Sequence, residues 1–207
     1  MNDMTHSGRT RNIPSFISPS EGVVIWENLF TEEECDNIIA IGELGEFMKG
    51  RVGSHGEGDN NDDIRDSDIT WIEPNDDTTW IFDRLAELVA KVNYDKFQLD
   101  LTRFDGFQFS VYNPDQHYTW HIDTQTLPRE DGSFRKLSMS LMLSNPDEYE
   151  GGELGVADAG STEHPKLFKH NKGTVIFFYS FVPHIVQPVT EGKRMALVTW
   201  AMGPKFV

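Results

Sequence analysis

The sequence predicts one α+β domain with a β-sandwich or jelly-roll core. Three observations predict it: two amphipathic helical stretches lie in the first half of the chain, short apolar strands fill the second half, and Asn-Pro, Gly-Gly and Gly-Lys pairs separate those strands. A length of 207 residues suits a single domain with a core of its own.

Residues 1–20 read as a polar, flexible leader, and the domain is expected over 21–207. "VVIWENLF" has the apolar content of a strand. "TEEECDNIIAIGEL" reads as a helix that starts at Thr31, where Glu34 stands at the third helical position and completes a capping box. Residues 51–68, "RVGSHGEGDNNDDIRDSD", are rich in Gly, Asn and Asp and predict a long surface loop. A second helix is expected over "DDTTWIFDRLAELVAKVN", with Trp80, Leu85, Leu88 and Val89 on its apolar stripe. Four strands follow in "FQFSVY", "KLSMSLML", "GTVIFFYS" and "RMALVTWAM". Alternation sends Phe107, Phe109 and Val111 to one face, and Gln108, Ser110 and Tyr112 to the other, more polar one.

A net charge of −16 and a pI near 4.7 argue against general affinity for nucleic acid or an anionic membrane. Cys35 is the only cysteine, so no disulfide can form within the chain. No run of about 20 apolar residues is present, and the N-terminus has no apolar signal region. A cytoplasmic protein is the expectation.

Candidate chemistry begins at "YTWHIDTQ". His121 and Asp123 stand two apart and project to one side of a strand, with Ile122 expected to turn away into packing. A second histidine would complete the two-histidine, one-carboxylate facial triad that holds non-haem Fe(II) and leaves positions open. His184 is the best candidate, because it follows the apolar strand "GTVIFFYS" and the bend "FVP". Ten residues later stands Arg194, which shares strand parity with Ala196, Val198 and Trp200. A guanidinium on an otherwise apolar wall presents a planar fork suited to a carboxylate.

With these parts in place the chain resembles the Fe(II)- and 2-oxoglutarate-dependent dioxygenases, in particular their prolyl 4-hydroxylase-like branch. "YNPDQHYTWHID" resembles that branch's Y-x-x-G-x-x-Y-x-x-H-x-D pattern, with Tyr112 and Tyr118 in place and Asp115 where the glycine is usual. "RKLSMSLMLSNPDEYEGGEL" resembles its R-x-x-T strand ending in G-G-E, with Ser138 at the threonine position. Arg65, Ser67 and Trp71 in "IRDSDITW" resemble a segment that touches substrate.

The resemblance implies a double-stranded β-helix (jelly-roll) core flanked by N-terminal helices. It also implies Fe(II) on His121, Asp123 and His184, with 2-oxoglutarate contacted by Arg194, Tyr112, Ser138 and Trp200. O2 as oxidant and ascorbate as reductant come with it. The implied reaction is hydroxylation of a peptide or protein substrate, prolyl by first choice, with succinate and carbon dioxide formed. Aspartate at position 123 leaves no halide site, which favours hydroxylation over halogenation. Another protein side chain or a small molecule remains an alternative substrate. A zinc hydrolase and a non-catalytic jelly-roll binding module are the other two classes, the former lacking an obvious general base.

Overall fold

The computed structural model describes residues 22–51, 61–124, 127–158 and 161–206, so the expected leader lies outside the described residues. Strand β1 (Val23–Trp26) is followed by helix α1 (Glu32–Glu43). Short strands β2 (Met48–Lys49), β3 (Arg65–Asp66) and β4 (Asp68–Ile72) precede α2 (Thr79–Val92), which runs into a π turn at Asn93–Phe97. The strand-rich half begins with β5 (Arg103–Tyr112), β6 (His117–His121), β7 (Phe134–Met142), β8 (Tyr149–Gly151) and β9 (Leu154–Asp158). It continues with β10 (Ser161–Phe168), β11 (Val175–Tyr179), β12 (His184–Val186), β13 (Val189–Gly192) and β14 (Arg194–Gly203).

Helix α1 starts as its sequence dictates. The Thr31 hydroxyl accepts from the Glu34 backbone N–H at 3.2 Å, and the Glu34 carboxylate accepts from the Thr31 N–H at 2.9 Å. The same carboxylate meets Arg84 of α2 at 2.6 Å, so the cap also ties the two helices together. Thr31→Ala is expected to cost about 1 kcal/mol of stability, the usual worth of such a cap, readable as a lower urea midpoint with an unchanged slope.

The major sheet runs β1-β11-β7-β14-β5-β4-β2, and a second sheet runs β10-β9-β12-β6-β3. Together they form the double-stranded β-helix. Alternation along the major sheet divides its residues as expected. Phe107, Phe109, Leu137, Leu141, Phe177 and Leu197 pack against Ile38 of α1 and Ile81, Leu85 and Leu88 of α2. On the opposite side, Met142, Ile176 and Phe178 pack against Leu154, Val156 and Phe168 of the second sheet, closing one end of the sandwich. Burial of both sets removes a large apolar area from water and fixes the register of the strands that carry the site.

Three expectations change. The expected loop at 51–68 holds strand structure in its second part: Arg65–Asp66 pairs with β6 and Asp68 begins the pairing of β4 with β5, so backbone ladders replace the turn its Asp and Asn content suggested. Residues 52–60 of it lie outside the described residues. Strand β1 ends at Trp26 instead of reaching Phe30, because Asn28 adopts φ +55°, a left-handed turn conformation that asparagine tolerates. Ile122 turns away from the site but is half exposed (50 %) and not packed. No helix among the described residues is long and apolar enough to cross a membrane.

Candidate active site

Strands β6 and β12 pair antiparallel with His121 directly opposite His184. Asp123 leaves the end of β6, where its backbone N–H and that of Thr124 both donate to the Ser180 carbonyl, at 2.8 and 2.9 Å. This hinge turns the Asp123 carboxylate back to the two rings. Ligand atoms from His121, Asp123 and His184 lie within 4.8 Å of one another. Nε2 of His121 is 3.8 Å from one carboxylate oxygen, and Nε2 of His184 is 3.4 Å from the other.

Surrounding groups prepare this cluster for a metal. Nδ1 of His121 donates to the Thr119 carbonyl at 2.8 Å and Nδ1 of His184 to the Val182 carbonyl at 3.1 Å, leaving each Nε2 lone pair aimed into the cluster. Burial, with the facing His184, pushes His121 down to about 3. Burial alone would raise Asp123, but His184, His121 and Arg135 outweigh it and, with the Ser138 hydrogen bond, hold the carboxyl at about 2. At neutral pH, His121 is therefore a neutral imidazole and Asp123 a carboxylate, the forms that bind divalent iron. The Tyr118 ring stacks on His121 at 3.4 Å and 10°, and Phe178 packs at 4.6 Å from His184, fixing both ring planes. The residues present fit Fe(II).

A cavity of about 420 Å³ opens beside the cluster. One wall is the polar face of β5 and β14, where Tyr112 pairs with Arg194 and Gln108 with Val198. Arg194 is 2 % exposed, and its guanidinium lies 5.3 Å over the Tyr112 ring. No carboxylate among the described residues forms an ion pair with it, and its Nε lacks a hydrogen-bond partner. A buried guanidinium in that state suits a carboxylate-bearing ligand. The Gly-Gly pair explains how it fits: a Cβ on Gly152 would come within 3.2 Å of the Arg194 side chain and 2.9 Å of Val189. Trp200 shares this wall, with its indole N–H unpartnered and Arg135 stacked at 3.5 Å on its ring.

The structure thus brings together His121, Asp123, His184, Arg194, Tyr112, Trp200, Arg65 and Trp71 around one cavity. Ser138 and Ser67 sit differently. The Ser138 hydroxyl donates to Asp123 at 2.6 Å and contacts Ser180 at 2.9 Å, so it orients the carboxylate. The Ser67 hydroxyl, fully buried, accepts from Nε of Arg65 at 2.9 Å. Ser138→Ala is expected to weaken divalent-metal binding by roughly tenfold to a hundredfold, as loss of an outer hydrogen bond to a metal ligand does, measured by titration with Mn(II). Sequence reading missed Tyr149, whose hydroxyl lies against Arg194 and is pushed up by burial, and gave no role to Arg135. Parity finds neither: Arg135 shares that of Leu137 and Leu141, which face the helices, and reaches the cavity past the register shift between Ala201 and Met202.

Comparison with known proteins agrees with this geometry. The family model described as the 2OG-Fe(II) oxygenase superfamily matches residues 107–202. That match takes in most of the strand-rich half of the chain. The matched segment holds all three candidate ligands as well as Tyr112, Ser138, Arg194 and Trp200. A PKHD-type hydroxylase of Psychrobacter sp. (strain PRwf-1) is 40% identical over 95 residues, which are 44% of this chain and 36% of that protein. A PKHD-type hydroxylase of Janthinobacterium sp. (strain Marseille) is 39% identical over 95 residues, 44% of this chain and 41% of the relative. The match therefore spans about two-fifths of these curated relatives. Among solved structures, a Pseudomonas putida prolyl-4-hydroxylase superposes with a TM-score of 0.69 at 21% identity, over 89% of this chain and 94% of that one. A Trichoplax adhaerens prolyl hydroxylase, solved with a hypoxia inducible factor peptide fragment, gives 0.68 at 20% identity, over 88% and 84%. The double-stranded β-helix of this chain is the fold of these prolyl hydroxylases.

Proposed function

We propose that the chain is an Fe(II)- and 2-oxoglutarate-dependent hydroxylase acting on a peptide or protein, with a prolyl residue as its target. The observation that carries this reading is the pairing, in one cavity, of a metal-ready His121, Asp123 and His184 cluster with a buried Arg194 that pairs with no carboxylate among the described residues. The two histidines and the aspartate would hold iron on one face. Arg194, beside Tyr112, would bind the far carboxylate of 2-oxoglutarate, and the Trp200 indole N–H is free to donate into the cavity. The chemistry the bound group supplies is oxidative: one atom of O2 goes into succinate as carbon dioxide leaves, and the other becomes the hydroxyl on the substrate carbon. Ascorbate would serve to keep the iron reduced.

The protein's own part is orientation and exclusion of water. Tyr118 and Phe178 hold the histidine planes, Ser138 holds the carboxylate, and the apolar Leu154, Val186 and Val198 line the cavity. One structural neighbour, solved with a peptide fragment, supports a peptide substrate. The test is incubation with Fe(II), 2-oxoglutarate and ascorbate, with succinate measured directly and candidate prolyl peptides analysed by mass spectrometry. Succinate formation with oxygen gained on proline is expected. A chain that binds metal yet never consumes 2-oxoglutarate is a binding module instead.

A further inference from the structure

We propose that the substrate carries a carboxylate close to the carbon that is hydroxylated, and that the Arg65 guanidinium binds it. The proposal rests on the hydroxylase reading above and names the chemistry its substrate must have.

Arg65 is 8 % exposed and is held from several sides. Its Nε donates to Ser67 at 2.9 Å, a terminal nitrogen reaches the Arg51 carbonyl at 3.4 Å, and its guanidinium carbon lies 4.7 Å over the Tyr118 ring. Gly50 closes the other side: a Cβ there would overlap Nε and stand 2.7 Å from the guanidinium carbon. The fork is therefore fixed before any ligand arrives, on the tyrosine that stacks on His121. Pre-ordering of this kind lowers the entropic cost of binding a planar anion.

Charge pairing separates this residue from its neighbours. Arg84, Arg103, Arg129 and Arg135 each meet a carboxylate. Lys49, on the same cavity wall, meets Asp66 at 2.8 Å and Asp68 at 3.1 Å. Arg65, like Arg194, forms no ion pair with a described carboxylate, and among the described residues that line the cavity with them the one acid is Asp123, already engaged by the histidines and Ser138. A buried cation without a counter-ion is costly, and a chain with 34 acidic residues has ample means to supply one. The far carboxylate of 2-oxoglutarate satisfies one guanidinium. The second is left for the substrate, and its position at Tyr118 places that anion beside the metal cluster.

Two sources carry this chemistry: an acidic side chain flanking the target in a peptide, or the carboxylate of a free amino acid. Short end-blocked peptides with one proline flanked by Glu, Gln or Lys, and L-proline beside L-prolinamide, are incubated with Fe(II), 2-oxoglutarate and ascorbate, and oxygen gain is counted by mass spectrometry. The wild type is expected to favour Glu-flanked over Gln-flanked peptide, or the free acid over the amide, by about tenfold or more, the worth of a charged hydrogen bond. Arg65→Gln should bring that ratio close to one and Arg65→Lys should keep part of it. Because the ratio is taken within one protein sample, lost folding or iron loading cancels. A wild-type ratio of one, or a ratio unmoved by Arg65→Gln, overturns the proposal. So does a rise in the 2-oxoglutarate requirement of Arg65→Gln as steep as that of Arg194→Ala, which would assign the residue to the cosubstrate. If 2-oxoglutarate decays in the wild type without any probe gaining oxygen, the carboxylate proposal fails alone; if 2-oxoglutarate never decays, the hydroxylase reading fails with it.

Discussion

His121→Ala, Asp123→Ala and His184→Ala are each expected to abolish iron-dependent 2-oxoglutarate turnover while the circular dichroism spectrum stays that of the wild type. Each substitution removes one of three ligand atoms that converge within 4.8 Å. A three-point site reduced to two holds divalent metal far more weakly, and the facial geometry is lost with it. The fold should survive, because its main core lies on the far side of the major sheet, between Phe107, Phe109 and Leu141 and the two helices. Asp123→Ala is the most informative of the three. It strands the Ser138 hydroxyl, yet that hydroxyl retains Ser180 as a partner, so the local cost in stability stays small. Mn(II) titration and succinate release measured on the same samples decide the matter. Normal turnover in any one variant removes that residue from the ligand set, and a requirement for His117 or His170 would relocate the site.

Period-two alternation made much of this site legible, because the strands that build it are long and buried on one face. Gln108 and Tyr112 on β5, and Arg194, Val198 and Trp200 on β14, line one cavity wall because side chains two apart share a face. The pairing of His121 with His184 was not legible. Their separation in sequence is bridged by the antiparallel pairing of β12 with β6, which no local pattern encodes. Ser138 shows another limit. Its parity placed it on the site side of β7, but whether the hydroxyl would reach a ligand in the cavity or the Asp123 carboxylate depends on where the turn after β6 carries Asp123. The end of the expected loop, from Arg65 to Asp68, misled for a simpler reason. Its Asp-rich composition reads as a loop, yet Arg65 and Ser67 are buried, because β3 forms the edge of the second sheet and β4 pairs with β5 in the major one.

Arg194→Ala is expected to raise the 2-oxoglutarate requirement by roughly tenfold to a hundredfold, and Arg194→Lys to recover part of that loss. A hydrogen bond to a charged group contributes about 1.5–3 kcal/mol, and that range sets the expected fold-change. Lysine restores the charge as a point source but not the planar fork, so it pairs one carboxylate oxygen where arginine pairs two. Geometry sharpens the expectation. Arg194 is 2 % exposed, its Nε has no partner, and the side chains beside it are Tyr112, Tyr149 and Val189 rather than an acid. Among the described residues this buried charge is therefore uncompensated, and Arg194→Ala removes it. The alanine variant should consequently keep or slightly raise its thermal midpoint without 2-oxoglutarate, while losing most of the stabilisation that 2-oxoglutarate with Mn(II) gives the wild type. Opposite signs with and without ligand distinguish a binding role from simple loss of packing, which would lower both midpoints together. Apparent 2-oxoglutarate affinity at saturating iron, measured beside those two melting curves, settles the assignment, and an unchanged affinity in Arg194→Ala would place the cosubstrate elsewhere in the cavity.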